Sequence, residues 1–170
     1  MPQIRDERVQ DAEAVNRLLT QAFGREAETR LVERLRASGR IAFSMIAEEN
    51  EHVLGYALFA RIAIEHEGRD FPALALAPLA VMPAFQRLGI GSALMSAGLQ
   101  RCREGGHPRV LVLGDPLYYG RFGFVPASRF GLRSPFPGAG DNFMALELQP
   151  AAFANLSGTA RYGHEFEDLE

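Results

Sequence analysis

Leu79-Ala80-Val81-Met82-Pro83-Ala84-Phe85-Gln86-Arg87-Leu88-Gly89-Ile90-Gly91-Ser92, running on to Cys102, is the stretch whose reading decides the fold. It describes an apolar strand that stops at Pro83, a tight glycine-containing loop, and a helix that opens on the loop. Ile90, Leu94, Met95, Leu99 and Cys102 recur at helical spacing, with Ser92, Ser96, Gln100 and Arg103 on another face. The first N–H groups of a helix have no acceptor within it, and the helix dipole adds partial positive charge there, so such a junction attracts anions. Gly89 and Gly91 carry no Cβ to hold a phosphate off the backbone.

The kind of phosphate is narrowed by what the chain lacks. A dinucleotide fingerprint needs a third glycine where Leu94 stands, which disfavours a nicotinamide-binding domain. A Walker loop needs a lysine, and all 18 basic residues here are arginine. The same absence removes a Schiff-base lysine and a lysine nucleophile. A Gly-x-Gly alone favours glycines that serve only packing. Pro78 adds a second signal: it lies inside the apolar run from Phe71 to Val81, where a residue without an N–H marks a bulge or break in the sheet ladder.

Downstream, Val110 to Leu113 reads as a short apolar strand ending at Gly114-Asp115-Pro116, followed by Tyr118-Tyr119-Gly120-Arg121-Phe122-Gly123-Phe124. Gln86-Arg87-Leu88-Gly89-Ile90-Gly91 resembles the Q/R-x-x-G-x-G/A motif of the GCN5-related N-acetyltransferases, and Tyr119 to Phe124 resembles their Y-x-x-x-G-F pattern. The resemblance implies an α/β (α+β) fold with a central mixed, mostly antiparallel twisted sheet, a splayed parallel strand pair and flanking helices.

The rest of the chain agrees with that expectation. With 170 residues, 47% hydrophobic and 23% charged, it reads as one domain over 1–170, with a core of about 3–149 and a C-terminal extension over 150–170. A net charge of −3 disfavours a nucleic-acid partner. The N-terminal residues carry no apolar leader, and no apolar run reaches the roughly 18 residues of a membrane span. With a single cysteine, Cys102, these features lead us to expect a cytoplasmic protein without membrane partners. Ile4 to Arg8 reads as an edge strand, and Asp11 as the N-cap of a helix carrying Val15, Leu18, Leu19 and Ala22 and closed by Gly24. A second helix runs from about Glu26 to Ser38, with Gly39 beyond it. Ile41–Glu48 and Val53–Ile64 form a hairpin around Glu49-Asn50-Glu51, and Glu65 to Asp70 is a polar turn. Ser134 to Asp141 reads as a surface loop, Phe143 to Leu148 as a strand, and the extension has no legible pattern.

The resemblance also implies the chemistry. Acetyl-coenzyme A is the expected co-substrate, with no metal. Its pyrophosphate would lie on the N–H groups of the Gln86, Arg87, Leu88, Gly89, Ile90, Gly91, Ser92 segment, and its pantetheine along Leu79, Ala80 and Val81. A backbone N–H near Leu79 would face the thioester oxygen. Tyr119 occupies the position of the acid that protonates the departing thiolate, a role its phenol suits; packing at a helix start is the alternative for it. Tyr118 is read as a packing or substrate contact. The base is open among Glu65, His66, Glu67 and water alone. Asp115 either caps the following helix or binds ligand. Arg121 is either an exposed helix arginine or a phosphate contact. Cys102 reads as a buried thiol, Ser92 lacks a nucleophile elbow, and His52, His66, His107 and His164 lack ligand spacing. The expected activity is direct acetyl transfer to a primary amine, borne by a small molecule or a peptide, in a ternary complex. The competing class is a non-catalytic acyl-coenzyme A sensor. The family resemblance allows a homodimer, for which the sequence marks no interface.

Overall fold

Two residues with positive φ, Asn50 (51°) and Glu51 (65°), turn strand β2 (Ile41–Glu49) back into β3 (His52–His66), a backbone hand that suits the right-handed twist of a hairpin. In this computed structural model, which describes residues 2–167 and 169, the chain divides into two units. One takes in 1–60, 77–99 and 164–170; the other takes in 61–76 and 100–163, so that β3 and β4 (Arg69–Val81) run through both.

In the first unit β1 (Gln3–Asp6) pairs antiparallel with β2, and β2 pairs antiparallel with β3 from Glu49↔His52 to Ile41↔Ala60. Helices α1 (Ala12–Phe23) and α2 (Ala27–Ser38) bury Val15, Leu18 and Leu19, and Leu31, Val32 and Leu35. Each ends as expected on a left-handed glycine, Gly24 at φ 66° and Gly39 at φ 73°. Asp11 departs from expectation. It precedes α1, yet its carboxylate accepts from the Arg8 N–H (2.6 Å) and from both terminal nitrogens of Arg5 (2.8 and 3.0 Å) rather than from the helix. Arg5 also reaches Glu48 (2.9 Å), and its guanidinium holds the Asp11 carboxyl below the usual carboxylate range. Glu7 makes a second knot, accepting from Ser44 Oγ (2.6 Å), Tyr56 Oη (2.9 Å) and the Arg36 guanidinium.

Helix α3 (Ile90–Glu104) is seated on β3 by two glycines. A Cβ on Gly55 would lie 2.8 Å from Leu94 Cδ1 and 3.0 Å from Ile90 Cγ2, so the first turn of the helix rests on bare strand backbone. Further along, a Cβ on Gly98 would lie 2.6 and 2.8 Å from the Phe59 ring, so here the strand's side chain enters the helix surface. Phe59 is fully buried and stacked on Phe43 at 4.7 Å between centroids, which leaves the ring little room to yield. The expected apolar stripe of Ile90, Leu94, Met95, Leu99 and Cys102 is buried throughout.

In the second unit β5 (Arg109–Leu113) pairs parallel with β4 at Leu74↔Val110 and Ala75↔Leu111 and antiparallel with β8 (Phe143–Glu147) along its whole length. β6 (Val125–Pro126) adds to β8, while β9 (Gly158–Arg161) pairs antiparallel with the end of β3 and parallel with β7 (Leu132–Arg133). The mixed, mostly antiparallel sheet with flanking helices is the expected class. Around Pro78 β4 stays extended from Arg69 to Val81 through a cis Ala77–Pro78 bond, while its pairing with β5 stops at Ala75, just before the proline. One local expectation is corrected. The Glu65–Asp70 turn shrinks to Glu67 and Gly68, with Glu65 and His66 inside β3 and Arg69 and Asp70 inside β4.

The extension proves ordered. Arg109 Nε donates to the Ala152 carbonyl (2.7 Å), Glu147 accepts from the Phe153 N–H (3.0 Å), and Phe153 stacks on Phe130 at 4.4 Å. Gly158 lets β9 approach so closely that a Cβ there would sit 2.0 Å from the Glu65 carbonyl oxygen. The last described turn, His164–Phe166, belongs to the first unit, where it buries Glu165 with one carboxylate oxygen 3.5 Å from Arg40 Nε.

On an exposed helix face a glycine-to-alanine change stabilises by about 1 kcal/mol. At Gly98 it collides with the Phe59 ring, and overpacking typically costs about 1–3 kcal/mol. Gly98→Ala is therefore expected to lower stability by up to about 2 kcal/mol in urea unfolding; a gain in stability would contradict the seat.

Candidate active site

In the first unit, β4 leads through Met82 and a 3₁₀ turn at Pro83–Phe85 into the loop before α3. The Met82 N–H donates to the Leu54 carbonyl (2.8 Å). Successive N–H groups of a strand point to opposite edges, so Ala80 also faces β3, and the N–H groups of Leu79 and Val81 face away from it. Gln86 turns its side chain back and donates from Nε2 to the Val81 carbonyl (3.1 Å), tying the loop to the strand end. Its side chain thus holds the loop's shape.

The loop turns on two positive φ values, Arg87 at 65° and Gly89 at 88°. Gly89 begins the helical bonding, its carbonyl accepting from the Ala93 N–H (3.0 Å). The N–H groups of Ile90 and Gly91 therefore lie ahead of the first intrahelical acceptor. A Cβ placed on Gly89 would meet nothing within 4 Å, so the approach to this helix start is open. Ile90 and Leu94 are buried and hold that end rigid, while Leu88 stays 64% exposed beside it. Main-chain donors, a dipole end and open space suit a diphosphate.

In the second unit, Gly114 and Asp115 connect β5 to α4 (Pro116–Tyr119). Asp115 is a cap: Oδ1 accepts from the Leu117 N–H (2.9 Å), and its carbonyl accepts from Tyr118 (3.1 Å) and Tyr119 (3.0 Å). The turn delivers Tyr119 onto Gly114, where a Cβ would be 2.4 Å from Tyr119 Cε2. Tyr118 meets Tyr119 edge-on (5.0 Å, 87°), and Phe124 lies 5.9 Å away. Burial, and then the neighbouring Tyr118, push the Tyr119 phenol up to about 12. It is a stable proton carrier at neutral pH. Arg121 lies over the rings of Tyr118 (5.1 Å) and Phe122 (5.5 Å), so Tyr118 acts in packing here.

A profile of the acetyltransferase (GNAT) domain matches residues 3–127. The chain belongs to the GNAT acetyltransferases. It is 34% identical over 157 residues to the uncharacterized N-acetyltransferase YhbS of Escherichia coli K12, which covers 92% of this chain and 93% of the relative. It is 38% identical over 131 residues to YjhQ of the same organism, covering 75% of this chain and 72% of that one. Among solved structures, Escherichia coli YhbS in complex with CoA superposes with a TM-score of 0.93 at 32% identity, over 99% of this chain and 93% of that one. A GNAT family acetyltransferase from Brucella melitensis in complex with acetyl-CoA gives 0.81 at 31% identity, over 98% of each chain.

As a GNAT chain it is an acyltransferase, and the remaining expected residues find clear places in it. Glu65 pairs in register with Thr159, and His66 is held through Nδ1 by the Ser157 carbonyl, so neither lies in a free loop; Glu67 is exposed. From Arg69 to Ala75 β4 rises about 20 Å at the usual strand spacing. The three acidic and histidine candidates thus stand before the start of β4, about 20 Å along the strand from where its pairing with β5 stops at Ala75. Cys102 is fully buried, and its thiol is pushed up to about 12 by that burial. Among the described residues no group of three or more His, Cys, Asp or Glu gathers as metal ligands, and no helix is long and apolar enough to cross a membrane. Sequence reading missed Gly55, Gly98 and Gly114, whose roles show only once the partner pressing on each is known.

The phenol makes a pH prediction. Unfolded, Tyr119 ionises near about 10; folded, it holds its proton to about 12. Between these values the unfolded chain binds fewer protons, so stability falls as pH rises. Urea midpoints followed from about pH 9 to pH 11 are expected to fall more steeply in the wild type than in Tyr119→Phe. Equal slopes would contradict a buried phenol.

Proposed function

We propose that this chain transfers the acetyl group of acetyl-CoA directly to a primary amine in a ternary complex, with residues 1–170 acting as a single N-acetyltransferase domain. The observation that carries the reading is the open, side-chain-free helix start at Gly89, in a chain whose close structural relatives hold CoA and acetyl-CoA. When bound, acetyl-CoA supplies an activated thioester. The main-chain groups from Gln86 to Ser92, above all Gly89, Ile90 and Gly91, bind its diphosphate, and Gly89 allows the close approach. Leu79 and Val81, with Ala80 between them, present outward main-chain donors for an amide-rich arm, in the manner of an added strand. The Leu79 N–H faces the carbonyl oxygen as negative charge develops; loss of such a donor typically costs about 10²–10³ in rate.

The proton inventory fixes the remaining roles. A primary ammonium, of pKa about 10, gives a proton to water before its nitrogen bonds to the acetyl carbon. As the carbon–sulfur bond breaks, Tyr119 donates its phenolic proton to the sulfur and recovers one from solvent, while the nitrogen, cationic after its attack, releases its second proton to water and leaves the neutral amide. Water serves as base in this scheme, Glu65 and His66 being engaged by β9 and the Ser157 carbonyl. The acidic chain favours a small cationic amine over a nucleic-acid-borne one. The lone buried Cys102 suits a reducing cytoplasm.

Free-thiol release from acetyl-CoA, measured against small cationic amines and a lysine peptide, tests the activity. Amine-dependent release is expected, with Tyr119→Phe lowering kcat about 10²-fold at unchanged KM for acetyl-CoA, and Gly89→Val weakening CoA binding at least about tenfold. Tight CoA binding with no amine-dependent release would instead make the protein an acyl-CoA sensor.

A further inference from the structure

Gly114 is not explained by its backbone. Its φ is not in the left-handed region, and its N–H makes an ordinary bond to the Asn142 carbonyl (2.9 Å), so any residue could adopt its conformation. What excludes a side chain is the ring of Tyr119. A Cβ would stand 2.4 Å from Cε2, 3.0 Å from Cδ2 and 3.5 Å from Cζ, so the ring lies against the main chain along one whole edge. Two further sides of the half-buried ring meet aromatic neighbours: Tyr118 edge-on at 5.0 Å and Phe124 at 5.9 Å. At its base, the Tyr119 N–H is bonded to the Asp115 carbonyl (3.0 Å) in the turn that Asp115 caps. Among the described residues no group hydrogen-bonds the Tyr119 hydroxyl, so packing alone aims it.

We infer that Gly114 is a positioning residue for catalysis: its missing side chain creates the seat that fixes where the Tyr119 hydroxyl stands. The inference rests on the role proposed above for Tyr119. The ring cannot yield in place, because Tyr118 and Phe124 stand against it and the capped turn anchors its backbone. Alanine at 114 therefore rotates the ring out of its seat. The hydroxyl moves by about an ångström or more and gains water, and displacement on that scale can cost about 10²-fold in rate.

The test compares wild type, Gly114→Ala, Tyr119→Phe, Tyr119→Ala and Gly114→Ala/Tyr119→Ala as full-length proteins. Gly114→Ala is expected to lower kcat for amine-dependent thiol release about as far as Tyr119→Phe does, with KM for acetyl-CoA unchanged. Followed by tyrosinate absorbance, the phenol of Gly114→Ala should ionise nearer the ordinary tyrosine value. Melting temperature supplies an arm independent of activity: Gly114→Ala lowers it in the wild-type background but not in the Tyr119→Ala background, where no ring is left to displace. An equal drop in both backgrounds, or an unchanged kcat and titration in Gly114→Ala beside an impaired Tyr119→Phe, overturns the seat alone. An unchanged kcat in Tyr119→Phe overturns the catalytic role of the phenol, and the positioning role with it, while the melting comparison still reports whether the ring sits on Gly114.

Discussion

The close approach of α3 to β3 is the constraint on which the proposed anion-binding end depends. A helix start is useful as a donor array only if it is held still, and free N–H groups at a fraying end would be averaged over many directions. Here the first turn is pinned through Ile90 and Leu94 against a strand residue with no side chain, Gly55, and two turns later Phe59 enters the gap left by Gly98. The contacts are complementary, one glycine on each element. Together they fix both the distance and the slide of the helix along the strand, because interiors packed to crystal-like density resist small shifts.

The same device recurs in the second unit at smaller scale. Gly114 takes the ring of Tyr119, and Gly158 takes the carbonyl of Glu65. In none of these places, nor at Gly55 and Gly98, is φ in the left-handed region, so the glycines are required by what lies against them. The two chemical requirements of the proposed reaction, fixed main-chain donors and a fixed protonated phenol, are thus met by removing side chains rather than by adding charged ones. With no lysine in the chain, anion recognition by backbone is the consistent solution.

The parts legible in the sequence were those with a local signal. The stripe from Ile90 to Cys102, the glycine stops after α1 and α2, and the Glu49-Asn50-Glu51 hairpin each show their period or turn chemistry within a few residues. The two-residue strands β6 and β7 are too short to show alternation, and β9 exists only because distant residues pair with it. Asp11 was legible as a helix-start residue but not as the partner of Arg5 and Arg8, since the sequence does not say that Arg5 curls back beside it. Tyr119 was singled out by motif, whereas its seat on Gly114 depends on the course of one capped turn. The Glu65–Asp70 cluster read as a loop because it is polar; in the fold only Glu67 and Gly68 turn, with Glu65 paired to β9.

Backbone amide shift mapping by NMR tests the central claim most directly, because it reports on individual N–H groups. Added coenzyme A, and pyrophosphate alone, are predicted to give their largest amide shifts at Gly89, Ile90 and Gly91, while pantetheine without the diphosphate leaves those three unmoved. Shifts that leave Gly89 to Gly91 untouched in all three titrations would contradict the account.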